Sequence, residues 1–117
     1  MSNTNTILTR LMAVIEDRRA HPSDKSYTSR LFAGGVDKIG EKIVEEAAEV
    51  VEAAHEATTP EGRAHLVHEA ADLIYHLFVM LGFREITLAE VEAQLAGRFG
   101  ISGLEEKASR PPKEQSS

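Results

Sequence analysis

Apolar residues return at helical spacing in successive stretches of the chain, separated by polar, proline- or glycine-containing breaks. In the first stretch Ile7, Leu8, Leu11, Met12, Val14 and Ile15 predict a helix that starts near Thr6 and closes before Pro22. His21 to Thr28 reads as a hydroxyl-rich loop, with Thr28 or Ser29 capping a short helical piece through Phe32. Gly34-Gly35 then breaks the chain, and Asp37 caps a long second helix to about Thr58. Its expected core face is Ile39, Ile43, Ala47, Val50 and Ala54, opposite a solvated stripe of Glu41, Glu45, Glu49, Glu52 and Glu56. At roughly 100° per residue, Glu46 falls at the border of the apolar sector, with Lys42 beside it. A carboxylate in that place is partly desolvated and needs a cationic partner, whether a lysine or a metal.

Thr59-Pro60-Glu61 has the form of a helix start, with threonine at the cap and proline in the first turn. The short connection makes helices two and three an antiparallel hairpin. The third helix, expected to end at Gly82, is apolar almost all round in its second half, which points to burial on both sides and hence to a dimer interface. Its polar exceptions His65, Glu69, Asp72 and His76 share one stripe; His76 reads as a hydrogen-bonded core residue, and His65 and His68 as surface residues. Thr87-Leu88-Ala89-Glu90 is a capping box for a fourth helix with Leu88, Val91, Leu95 and Phe99 on its apolar face. The expected architecture is an all-α antiparallel bundle of four to five helices, completed by homodimerisation. Residues 6–106 form the domain, residues 107–117 a flexible tail, and the polar residues before Thr6 a frayed start.

Composition narrows the chemistry. A chain of 117 residues with a net charge of −6 is one domain, and its acidity argues against nucleic acid or an anionic membrane as partner. Cysteine is absent, so disulfides and thiolate zinc sites are excluded. The N-terminal stretch does not read as a signal peptide, and the apolar run Leu73 to Phe83 is shorter than the about 20 residues that span a bilayer. A cytoplasmic protein is expected.

The candidate chemistry lies in two acidic motifs, Glu45-Glu46-Ala47-Ala48-Glu49 and Glu69-Ala70-Ala71-Asp72. Residues three apart share a helix face, so packing the two helices antiparallel brings four carboxylates to one patch. An all-oxygen cluster suits a hard cation such as Mg²⁺, which keeps room for water and substrate phosphate. The pairs end in Glu49 and Asp72 rather than histidine, which disfavours a di-iron centre. No Gly-x-x-x-x-Gly-Lys loop is present, which excludes a P-loop enzyme. Lys25, Arg30, Lys38 and Lys42 lie where they can meet phosphate charge. The plain alternative is a solvated acidic face whose glutamates pair with Lys42, Arg63 or His65.

The acidic pattern resembles the all-α nucleoside triphosphate pyrophosphohydrolases of the MazG type. With SYTSRLFAGGVDKIGEKIVEEAAEVVEAA, HEAADLIYHLFVML and RFGISGLEEKASR around it, the chain is similar to the phosphoribosyl-ATP pyrophosphohydrolases over roughly residues 6–110. The resemblance implies Mg²⁺-dependent hydrolysis of the α–β phosphate bond of phosphoribosyl-ATP in a cytoplasmic helical homodimer. It also implies a separate phosphoribosyl-AMP cyclohydrolase acting next in histidine biosynthesis. Carried over by position, Glu46, Glu49, Glu69 and Asp72 hold metal, and Glu45 orients or deprotonates water. Lys42 and the Ser26, Tyr27 and Thr28 loop contact phosphate or ribose. Two rivals remain at this point: a housekeeping pyrophosphohydrolase acting on other nucleoside triphosphates, and a non-catalytic helical dimerisation module.

Overall fold

Thr6 opens helix α1 (Ile7–Ala20) by accepting the Thr9 backbone N–H on its side-chain oxygen. The computed structural model describes residues 6–99, all of whose regular structure is α-helical. The residues before Thr6, the expected tail 107–117 and the last part of the domain expected over 6–106 lie outside the described residues. Residues 6–86 belong to one compact unit and residues 87–99 to a second.

In the first unit α1, α2 (Tyr27–His55) and α3 (Pro60–Phe83) pack together, with the α2–α3 hairpin as the most extensive contact. The break expected at Gly34-Gly35 is present: within α2 two helical pieces meet at a kink at Gly35, close to the start expected at Asp37. Ser26, rather than the expected Thr28 or Ser29, caps the first piece, its hydroxyl accepting the Ser29 N–H at 3.1 Å, and the second piece runs to His55. Of the two glycines expected to break the chain only Gly35 leaves helical geometry, at φ 73° and ψ −168°, so the break is a one-residue kink. A left-handed φ is cheap only for glycine, which is why a single residue suffices there.

The core consists of Met12 and Ile15 from α1, Leu31, Ile39 and Ala53 from α2, and Phe78 and Val79 from α3. Ala47 and Ala54, expected in the core, are exposed, and Ala53 is buried instead. The packed line of α2 runs through Ile39, half-buried Glu46 and Ala53, turned by about 60° from the expected face. Glu46 therefore sits in the middle of the packed face rather than at its edge.

Gly82 does not end α3, as expected; it is buried one residue inside the helix. A Cβ there would lie 2.9 Å from Ile15 Cγ2, so the glycine is needed for the close approach of α1. The stop comes from Glu85 in the left-handed region at φ 57°, with Glu85 N–H donating to the Gly82 carbonyl and Ile86 N–H to the Leu81 carbonyl. This Schellman arrangement normally uses glycine where Glu85 stands. By length and composition the whole of α3, unlike the run Leu73 to Phe83, reaches the size that crosses a bilayer; core helices of soluble proteins reach it too.

In the second unit α4 (Leu88–Phe99) opens with the expected capping box, Glu90 N–H donating to Thr87 Oγ1 at 3.2 Å and Thr87 N–H to Glu90 Oε2 at 3.0 Å. None of its residues is fully buried.

Candidate active site

The α2–α3 hairpin brings Glu46 and Glu49 of one helix against Glu69 of the other. One carboxylate oxygen from each of the three lies within 4.8 Å of the others, the separation a single cation could bridge. Glu46 Oε1 and Glu69 Oε1 are buried with no hydrogen-bond partner. A carboxylate oxygen removed from water without a donor is costly, so this pair of orphaned atoms is a fit for a cation.

Electrostatics show that the clustered carboxylates act on one another. Burial, followed by the nearby carboxylates of Asp72, Glu49 and Glu69, raises the Glu46 pKa. Hydrogen-bonding interaction with Glu69 is the main cause that raises Glu49. Burial pushes Glu69 upward, but its interactions with Glu49 and His65, helped by His68, outweigh this and lower it. The shared site thus splits its members, with Glu46 and Glu49 raised and Glu69 lowered, as happens when like charges share a small site.

Asp72, the fourth expected acid, stands outside the converged trio. Its carboxylate lies 3.3 Å from His68 Nε2, and it still acts on Glu46 through space. His65 Nε2 lies 2.9 Å from Glu69 Oε2. Both histidines are exposed, as expected of surface residues, but each is also tied to an acid of the cluster. The signal was present in the spacing: His65–Glu69 and His68–Asp72 are i, i+4 pairs on one helix. His76 is buried and bonds Tyr27 and the Asp72 carbonyl, the core role expected of it.

Lys42, expected beside Glu46, pairs instead with Glu45, Nζ to Oε1 at 3.5 Å. This pairing is the main cause that raises the Lys42 pKa, so the ammonium is held charged. Ser26 is spent on the α2 cap, and Thr28 is buried with its hydroxyl bonded to that of Tyr75. Arg30 lies over the Tyr27 ring at 5.9 Å and donates to the Asp24 carbonyl. Lys38 is exposed, and its side chain runs back over Gly34. Lys25, Ser26, Tyr27 and Thr28 line an open cleft of about 480 Å³ together with Val14, Arg18, His21 and Ser23. The α1 contributions to this cleft were not anticipated, because only the fold brings the end of α1 beside the start of α2.

A family profile described as phosphoribosyl-ATP pyrophosphohydrolase matches residues 8–99. The chain belongs to that family. A phosphoribosyl-ATP pyrophosphatase of Rhodopirellula baltica is 51% identical over 109 residues, covering 93% of this chain and 90% of the relative. One from Cereibacter sphaeroides is 51% identical over 105 residues, covering 90% and 98%. One from Geobacter metallireducens is 43% identical over 111 residues, covering 95% and 98%. These phosphoribosyl-ATP pyrophosphohydrolase relatives match over nearly their whole length, so the likeness spans both acidic motifs and the loop before α2.

Proposed function

We propose that this protein hydrolyses phosphoribosyl-ATP to phosphoribosyl-AMP and pyrophosphate, a step of histidine biosynthesis, at the cluster of Glu46, Glu49 and Glu69. The observation that carries this reading is the convergence of three carboxylates with two unpartnered buried oxygens, in a chain of this family. These three residues hold Mg²⁺, with Asp72 at the rim. The bound ion supplies charge neutralisation on the phosphoryl oxygens. Water adds at phosphorus, the α–β anhydride bond breaks, and pyrophosphate leaves. Glu45, next to Glu46 on the solvent side, orients that water and accepts its proton. Lys42, Lys25, Arg30 and Lys38 take up the phosphate charge that the ion leaves, and the Ser26, Tyr27 and Thr28 segment faces the substrate.

The protein works as a homodimer. Val44 and Val51 are 70% and 59% exposed on α2, and Val67, at 68%, shares a heptad-spaced stripe with Ile74 on α3, where Leu77 is also exposed. An apolar face of that extent on a core this small supports burial against a second copy. The site is cytoplasmic, and the product passes to a separate cyclohydrolase. Asp72→Asn tests the enzymatic reading: turnover should fall at least tenfold while mass and thermal midpoint stay within error. Unchanged turnover would remove Asp72 from the site, and a parallel loss of fold would reduce the cluster to a structural one.

A further inference from the structure

The buried histidine of α3 has no part in the reaction as described above, yet it connects the two halves of the site. His76 is 5% exposed, and both its ring nitrogens are matched. Nδ1 lies 2.9 Å from the Asp72 carbonyl oxygen, and Nε2 lies 3.2 Å from the Tyr27 hydroxyl. A carbonyl oxygen only accepts, so Nδ1 carries the proton and donates. With the single ring proton on Nδ1, Nε2 is an acceptor, and the Tyr27 O–H donates to it. One tautomer therefore satisfies both bonds, and it fixes the direction of the Tyr27 hydroxyl.

Tyr27 is the first residue of α2 and is 42% exposed, with one side toward the cleft that Lys25 and Ser26 share. Its ring stacks on Tyr75 at 6.2 Å, and the Arg30 guanidinium lies over it. A second tie runs alongside, from Thr28 to Tyr75. The start of α2 is thus bonded to two consecutive residues of α3, and one of those bonds continues into the turn that carries Asp72.

We propose that His76 is a positioning residue for the reaction: it locks the Tyr27 phenol against the Asp72 turn and so fixes the substrate-facing segment relative to the acidic cluster. This rests on the phosphoribosyl-ATP reading above and adds to it a role for a residue that touches no substrate. Small misplacements of reacting groups cost rate steeply, which is what a rigid tie of this kind prevents.

The test compares Tyr27→Phe, His76→Leu, the double variant and His76→Gln in pyrophosphate release from phosphoribosyl-ATP. Each of the first two should lower kcat about five- to tenfold. The double variant should fall no further than the worse single, because one connection is broken either way. The Gln oxygen can accept from Tyr27, so His76→Gln should recover most of the loss. Independently of activity, long-range ¹H–¹⁵N correlations should report the Nδ1–H tautomer of His76 in the wild-type protein. An Nε2–H tautomer, additive losses, or single variants at the wild-type kcat would overturn the positioning role. A wild-type protein that hydrolyses nothing would instead overturn the functional reading on which it rests, and the two failures are separable.

Discussion

Replacing Glu46 by glutamine should stabilise the metal-free protein and weaken its response to Mg²⁺. Glu46 sits half-buried on the packed face of α2, with one oxygen unpartnered and three other carboxylates acting on it. An orphaned buried polar atom costs about 1–3 kcal/mol. The amide of Glu46→Gln removes one charge from the cluster, and its N–H can donate to the equally unpartnered Glu69 Oε1. For a chain of this size 1 kcal/mol moves the midpoint by about 4 °C, so a gain of about 4–12 °C is expected in EDTA at pH 8. A cation at a hundred times its Kd adds about 2.7 kcal/mol to a folded state that binds it. The wild type should therefore climb by about 10 °C in saturating Mg²⁺ and the variant by much less, so the gap between them narrows or closes. Differential scanning fluorimetry on the four combinations reads this directly. A variant no more stable than wild type in EDTA, with an equal Mg²⁺ shift, would refute the link between the orphaned oxygen and the ion.

Other consequences follow from the same geometry. Glu46 and Glu49 have folded pKa values above the ordinary 4.5, so the stability tied to their protonated forms is complete below that value and is lost as pH rises through the raised values. Glu69 is shifted the other way, so its contribution is present above its ordinary value and fades as pH falls. In EDTA the midpoint should therefore decline from mildly acidic to neutral pH, and Mg²⁺ should flatten that decline; a rise over the same window would contradict the cluster's electrostatics. Gly82→Ala sets overpacking against Ile15, about 1–3 kcal/mol, against about 1 kcal/mol of gained helix propensity, for a net loss of up to about 2 kcal/mol in urea unfolding. Val51→Asp should convert a dimer to a monomer by light scattering with little change in helicity, whereas equal masses for variant and wild type would place the interface elsewhere.

Much of this arrangement could be read from the chain alone, for local reasons. Thr59-Pro60 and the Thr87–Glu90 box act within one helical turn, so their caps follow from composition. The acidic motifs are legible because residues three apart share a face whatever the helix packs against. What was not legible depends on neighbours. The rotation that exposes Ala47 and buries Ala53 follows from how α2 packs against α1 and α3, and it moves Glu46 to the middle of the packed face. Gly82 reads as a terminator until Ile15 is seen against it, and Glu85 carries no local sign of the left-handed turn it makes. Lys42 has acids three and four residues on, Glu45 and Glu46, and only the side-chain geometry selects Glu45.

The three-glutamate cluster is expected to support cleavage of phosphoribosyl-ATP in preference to free nucleoside triphosphates. Purified protein should be incubated with phosphoribosyl-ATP and, separately, with a panel of nucleoside triphosphates, in Mg²⁺ or EDTA, while pyrophosphate is followed. Release from phosphoribosyl-ATP far above that from any triphosphate, and abolished by EDTA, is the predicted result. Release mainly from free triphosphates, or release from phosphoribosyl-ATP that persists in EDTA, would contradict it.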